Sequence, residues 1–418
     1  MTVTEPVTAD QVLDGISIVD CDAHFTEPPD LWTSRVATSM RDRVPQMRTD
    51  GGVSAWYLGD EVWASVGGNT IRNGTQKVLG SQIVQPWDEI DPSSYEVGPR
   101  LALLDEMGVY AQILYPNAVG FASNSMFAIE DVGLRNEIQR TYNDFLVDIQ
   151  KESRDRLLPQ AVLPIWDMDL TIKEMTRLAD QGVRGFTITD KPQVVNMPDL
   201  DAPYFAPMWS LANELGSVIN FHIGSGGLRK IQDADPAVQE ARRQGSAVAG
   251  PNPDIYWESF GPQRRLAILA TQFYMSNVRV IVNFCMSGMF DRYPNVKISS
   301  AESGIGWIPF VLEAMEYQLD EMVTTAEEKA TQERRPTEYF RDHFFVTFWF
   351  EKVAPTKTLE DIGINNVFIE TDIPHPTCIY PDARNRIAEV MASLDPHARR
   401  RVLQDNAAEA YKILLPNA

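Results

Sequence analysis

The sequence predicts an α/β protein: a single (β/α)8 TIM barrel with a small inserted hairpin region and C-terminal helices. Three observations carry this reading. Eight short, β-rich apolar runs recur along the 418 residues, helical patterns separate most of them, and acidic residues and histidines gather where the runs end. Strand and helix patterns that alternate point to parallel βαβ units, and eight such units can close into a barrel.

The runs come in order. "ISIVDCDAHF" (16–25) is the first, followed by "VYAQILYP" (109–116), "LLPQAVLPI" (157–165), "VRGFTIT" (183–189) and "SVINFHIG" (217–224). "VKISSAES" (296–303), "FFVTFWF" (344–350) and "NVFIETD" (366–372) complete the set. Their length and β-branched content read as buried strands. Helices are expected over 133–151, 168–181, 204–216, 263–278, 307–330 and 355–362, with two more near 382–393 and 396–413. One unit therefore runs over 15–413, after a loose leader at 1–14. Two long interruptions, 31–95 and 225–262, follow the first and fifth strands. The first contains "AWYLGDEVWAS", a hairpin turning at Gly59-Asp60. Loops of this length in a compact domain are usually binding loops or lids.

Composition narrows the function. Lys plus Arg is 37 against 58 Asp plus Glu, a formal charge of -21. That argues against a nucleic-acid partner or an anionic membrane surface, which need a basic face. The apolar runs fall well short of the roughly 20 residues that cross a bilayer. The N-terminus has neither a basic region nor an apolar core, so no secretory signal is expected. Cys21, Cys285 and Cys378 are odd in number and far apart, which suits a reducing cytoplasm rather than a disulfide framework.

The strand ends carry the chemistry. The first run ends in Asp20, Asp22 and His24, whose spacing of two puts them on one face. The fifth gives His222, the sixth Glu302 and the eighth Asp372. In a barrel, catalytic side chains come from the C-terminal ends of different strands. Imidazoles and carboxylates converging there suit a divalent metal.

"VDCDAHFTEP", "FHIGSGG", "SAESGIGWIP" and "ETDIPHP" resemble, in order and spacing, the motifs of the amidohydrolase-related metal enzymes. The likeness is to the branch of aminocarboxymuconate-semialdehyde decarboxylase and the resorcylate-type decarboxylases. "RLALLDEMGVYAQILYPN" and "RPTEYFRDHFFVTFWFE" resemble that branch too. The resemblance implies a metal held by Asp22, His24, His222 and Asp372. It also implies that Asp372 can shuttle a proton. The first motif of the family is usually His-x-His, and here it is Asp22-Ala23-His24. Its sixth strand normally ends in histidine, and here it ends in Glu302. Catalytic work therefore falls to Asp372, Glu302 and His222. His375 is expected to support the site from outside the ligand set.

Each assignment has a structural alternative. Asp22 and His24 could form a plain ion-pair network, His222 could be a core histidine, and Asp372 or Glu302 could cap a helix. His343 and His397 read as structural or solvated. Cys21 should face away from Asp22 and pack against a helix. Trp307 and Phe348 are expected to line a substrate pocket, with core packing as the alternative; Trp349 is read in the same way. Arg229, beside Lys230 on the loop after His222, is expected to meet an anionic substrate group.

Carboxylate-rich ligation shifts the expected ion from Zn²⁺ towards Mn²⁺. The expected reaction is non-oxidative decarboxylation of a small aromatic or unsaturated carboxylic acid. Hydrolysis by a metal-activated water is the alternative, and a degenerate barrel that only binds a ligand is the third reading. The expected assembly is a cytoplasmic homodimer or homotetramer.

Overall fold

The computed structural model of the chain describes residues 8–80, 86–122, 125–225, 257 and 259–416. Strand β1 (Ile18–His24) comes first. The antiparallel β2 (Gln46–Asp50), β3 (Val53–Leu58) and β4 (Glu61–Ser65) follow, then the short pair β5 (Ile71–Arg72) and β6 (Gln76–Lys77). The remaining strands are β7 (Val109–Tyr115), β8 (Leu157–Pro159), β9 (Ala161–Val162), β10 (Gly185–Thr187), β11 (Val218–His222), β12 (Lys297–Ala301), β13 (Phe344–Phe348) and β14 (Val367–Ile369). All eight expected runs contain strand, and the third is split at Gln160.

Two parallel sheets result, in the orders β1-β7-β8 and β14-β13-β12-β11-β10-β9. One residue separates β8 from β9. At the other ends, Ala23 bridges Ile373 in parallel. There His24 N donates to Ile373 O and Asp372 N donates to Asp22 O, both at 2.8 Å.

Strand residues alternate between two apolar clusters. Ile219, Phe221, Val346, Phe348, Val367 and Ile369 belong to the large cluster, together with residues of the helices. Val19, Cys21, Ala111, Ile113, Val218 and Phe368 form a smaller cluster with Tyr411 and Ala407. The period of two along each strand makes this division.

Helices lie between the strands, and their ends follow local chemistry. Val97–Met107 stops at Gly108, whose φ of +71° is left-handed. Asp131 caps Val132–Glu152 by accepting from Leu134 N, and Asp167 caps Met168–Asp180 by accepting from Leu170 N.

Several boundaries differ from expectation. The helix expected over 307–330 ends at Met322, because Val323 is extended; Thr325 then caps a separate turn, Ala326–Lys329. The helix expected over 396–413 is Pro396–Arg400, a π turn at Arg401–Asp405, and Asn406–Ala410. The 355–362 helix breaks at Thr358, and a helix at Pro336–His343, opened by its proline, was not anticipated. Residues 9–13, expected in a loose leader, form a helical turn that buries Val12 and Leu13.

Candidate metal centre

Asp22 and His24 stand on β1, and His222 ends β11. Glu302 follows β12, and Asp372 lies three residues past β14, so it extends beyond the strand it was expected to end. All five side chains are buried. His222 Nε2 lies 3.2 Å from His24 Nε2, 3.3 Å from Asp22 Oδ2 and 3.4 Å from Glu302 Oε2. His24 Nε2 lies 3.5 Å from Asp22 Oδ1 and 3.7 Å from Asp372 Oδ1. Two groups have donor atoms close enough to share an ion: Asp22, His24 and His222, and His24, Asp372 and His375.

The backbone is bent to make this convergence. Glu302 (φ +51°) and Asp372 (φ +59°) are both left-handed. A non-glycine residue there costs on the order of 1–3 kcal/mol and persists only where its surroundings hold it. Asp22 O holds Asp372 N, and Glu370 Oε2 accepts from Glu302 N at 3.2 Å.

Asp20, expected beside Asp22 and His24, does not join them. Its Oδ1 accepts from Thr371 N at 2.7 Å. Its Oδ2 accepts from Thr371 Oγ1 at 2.5 Å and from Gln112 Nε2 at 2.7 Å. The pairing of β1 with β7 shifts between Asp20 and Ala23, and that irregularity breaks the alternation. Burial pushes the Asp20 carboxyl up to about 6, against the pull of those donors.

The electrostatics favour a cation. Burial, then the nearby Asp372 carboxylate, push both Asp22 and Glu302 well above the usual carboxylate range. Burial also lowers His222 to about 4 and His24 well below its ordinary value, so both imidazoles are neutral. Neutral imidazole is the form that binds metal. His222 Nδ1 donates to Ile223 O at 2.7 Å, which leaves the Nε2 lone pair facing the cluster. Among the described residues, the ion-pair partners of Asp22, Glu302 and Asp372 are all histidines. Both oxygens of Asp22, and Oδ1 of Asp372, are buried without a hydrogen-bond donor. Buried polar atoms are rarely left so. The donor set therefore fits a divalent ion.

The other expected site residues fall as follows. Arg229 and Lys230 lie outside the described residues. Trp307 is half-buried, and its indole donates to Ser303 O at 2.8 Å. Phe348 is buried in the large cluster with Val346. The Trp349 indole donates to Thr377 O at 3.2 Å. His343 is buried, with Nδ1 2.9 Å from Val296 O and its ring stacked on Phe290, while His397 is exposed on a helical turn. Cys21 joins Tyr115 and Tyr411 in the small cluster, so it meets the C-terminal helix as expected.

Sequence reasoning missed several neighbours. Thr377 donates to Asp372 Oδ2 and lies 3.4 Å from Glu302 Oε1. Tyr274 bonds Thr377, and burial and then Glu302 raise its phenol. Glu370 also accepts from Glu302 N, Asn117 meets His375, and Glu27 holds Asn117 from behind. Thr377 had a local signal, five residues past Asp372; the rest reach the site only through the fold.

The sequence profile described as Amidohydrolase matches residues 19–413. The chain belongs to the amidohydrolase family. This amidohydrolase is similar to gamma-resorcylate decarboxylase of Polaromonas sp., at 25% identity over 299 residues, covering 69% of this chain and 80% of the relative. Its fold is shared with an amidohydrolase from Mycobacterium avium subsp. paratuberculosis, with TM-score 0.66 at 16% identity, over 96% of this chain and 99% of that one. It is also shared with 2,6-dihydroxybenzoate decarboxylase from Rhizobium, with TM-score 0.57 at 19% identity, over 95% and 99%. A dihydroxybenzoic acid decarboxylase from Polaromonas sp., solved with bound manganese and 2-nitroresorcinol, gives TM-score 0.56 at 19% identity, over 95% and 97%.

Proposed function

We propose that this amidohydrolase is a metal-dependent lyase on a closed (β/α)8 barrel. It removes CO₂, without oxidation, from a small aromatic or unsaturated carboxylic acid. The observation that carries the reading is the buried set of Asp22, His24, His222 and Asp372, with carboxylate oxygens that lack donors. The names of the relatives support the reaction class, and the manganese-bound relative supports Mn²⁺ over Zn²⁺.

Asp22, His24, His222 and Asp372 would hold the ion. Bound there, it supplies positive charge for the substrate carboxylate and an adjacent oxygen. Glu302, whose carboxyl is pushed well above its usual range by burial and then by the neighbouring carboxylates, donates its proton to the carbon that bears the carboxylate. The carbon–carbon bond then breaks, its electron pair returns to the substrate, and CO₂ leaves. Glu302 regains a proton from solvent. Thr377 orients Asp372 through its hydroxyl. Arg229 is assigned to an anionic substrate group, and Trp307 to the pocket wall; Phe348, buried in the core, acts from behind that wall.

The reading extends to a cytoplasmic homodimer or homotetramer acting on a free small molecule. Three buried free thiols support a reducing compartment, and the charge of -21 supports a small-molecule partner over nucleic acid.

The test is to incubate the Mn²⁺-loaded protein with 2,6-dihydroxybenzoate and 5-carboxyvanillate, measuring CO₂ and the decarboxylated phenol. Release of both supports the lyase. Hydrolysis of an ester, amide or lactone with no CO₂ from any acid would establish the water-attack alternative. A protein that binds no metal would be the degenerate binding barrel.

A further inference from the structure

We propose that the inserted segment around Gly67–Thr70, together with Asn117, positions the Asp372 carboxylate through His375. The inference rests on the metal-centre reading above. It assigns a task to the interruption that separates β1 from its helix.

His375 touches two proposed ligands at once. Its Nδ1 lies 3.1 Å from Asp372 Oδ1, and its ring stacks on His24 with centroids 3.5 Å apart and planes at 17°. On its far edge, Nε2 lies 3.0 Å from Asn117 Oδ1. Asn117 is itself fixed, since Asn117 N and Ala118 N both donate to Glu27 Oε1 at 3.0 Å.

The amide orientation of Asn117 follows from its partners. Oxygen and nitrogen of an amide are assigned by the hydrogen bonds they make. With Oδ1 toward His375, Nδ2 is buried with no partner. Turning the amide over gives Nδ2 an acceptor in His375 Nε2. The ring proton then sits on Nδ1, which faces Asp372 Oδ1 at 3.1 Å in a charge contact rather than a hydrogen bond. His375 thereby fixes the carboxylate that the ion needs.

The insertion closes the other side. A Cβ on Gly68 would lie 2.9 Å from His375 Cδ2 and 3.3 Å from Pro376 Cδ, and one on Gly67 would lie 2.6 Å from Asn117 Cβ. Thr70 N donates to Pro374 O at 2.8 Å, and Thr70 Oγ1 reaches Pro374 O at 3.1 Å and His375 O at 3.2 Å. The backbone of the insertion is therefore packed directly against the imidazole. Gly68 is not left-handed, so alanine there tests the contact alone. Gly98, exposed and with no atom within 4 Å of an added Cβ, is the control.

The experiment measures the Mn²⁺ dissociation constant of the full chain by the EPR signal of free Mn²⁺, with melting temperatures alongside. Removing a residue that supports a ligand typically weakens metal affinity about 10–100-fold. Gly68→Ala and His375→Ala should each do so, and Gly98→Ala should not. Because Gly68 acts through the ring, the double variant should bind no more weakly than His375→Ala alone. Wild-type affinity in Gly68→Ala, even with a lowered melting temperature, would overturn the proposal, as would a double variant that loses the product of the two effects. A wild-type protein that binds no Mn²⁺ would instead overturn the metal-centre reading, and this inference with it.

Discussion

Replacing Glu27 by glutamine should make the protein more stable at high pH than at low pH, relative to wild type. Glu27 is buried, and desolvation pushes its carboxyl from 4.5 up to about 7, despite the amides of Asn117 and Ala118 that favour its charge. A group whose folded value is raised stabilises the fold fully below its unfolded value. That contribution is lost as pH rises through the folded value, because the unfolded chain gives up its proton first. The window is therefore pH 4.5 to about 7. At about 1.36 kcal/mol per pH unit, the rise is worth about 3.4 kcal/mol. Glutamine keeps an oxygen for the two amides and has no such titration. Unfolding entropy of about 2.1 cal/mol/K per residue makes about 3.4 kcal/mol a shift of about 4 °C for a chain of 418 residues. The assay is thermal unfolding of both proteins from pH 4.5 to 8.5 at a fixed excess of Mn²⁺. The difference in Tm, variant minus wild type, should climb by about 4 °C and level off above pH 7. A difference that stays flat across this range would refute the reasoning, since it would mean that Glu27 does not titrate there.

Further outcomes are expected. Chelation should abolish activity and Mn²⁺ should restore it, with about 4 kcal/mol of added stability at a thousand times the dissociation constant; full activity in protein shown to be metal-free by elemental analysis would contradict this. Glu302→Gln should keep its metal and lose at least about a hundredfold in kcat, the lower range for a general acid, whereas His222→Ala should be purified without metal. If Glu302→Gln also lost the ion, Glu302 would be a ligand. Arg100→Met should cost at least about 3 kcal/mol in denaturant unfolding, because it strands the buried acceptors Ser93 O, Gln112 Oε1 and His24 O. Lys352→Met, which breaks a solvent-exposed pair with Glu389, should cost less than about 1 kcal/mol.

The strands were legible because their signal is local. Each apolar run carries its own length and β-branched content, so all eight were found. Helix ends were less legible: the extended Val323 and the restart capped by Thr325 cut a pattern that reads as continuous over 307–330. The spacing of Asp20, Asp22 and His24 misled at one position, since an irregular pairing with β7 sends Asp20 to Thr371 and Gln112.

By itself, the sequence determined the parallel α/β plan and pointed to the groups at or just past the strand ends that the fold brings together: Asp22, His24, His222, Glu302 and Asp372. Each polar group follows its own apolar run within a few residues, so residue type and position relative to the run suffice to single it out. Only the tertiary structure decided what surrounds them. His375 meets Asn117 across 258 positions, Glu27 meets Asn117 across 90, and Gly68 meets His375 from the part of the insertion past its hairpin. Such contacts arise from where the chain is carried after each strand, and no local pattern encodes a neighbour that arrives from hundreds of residues away.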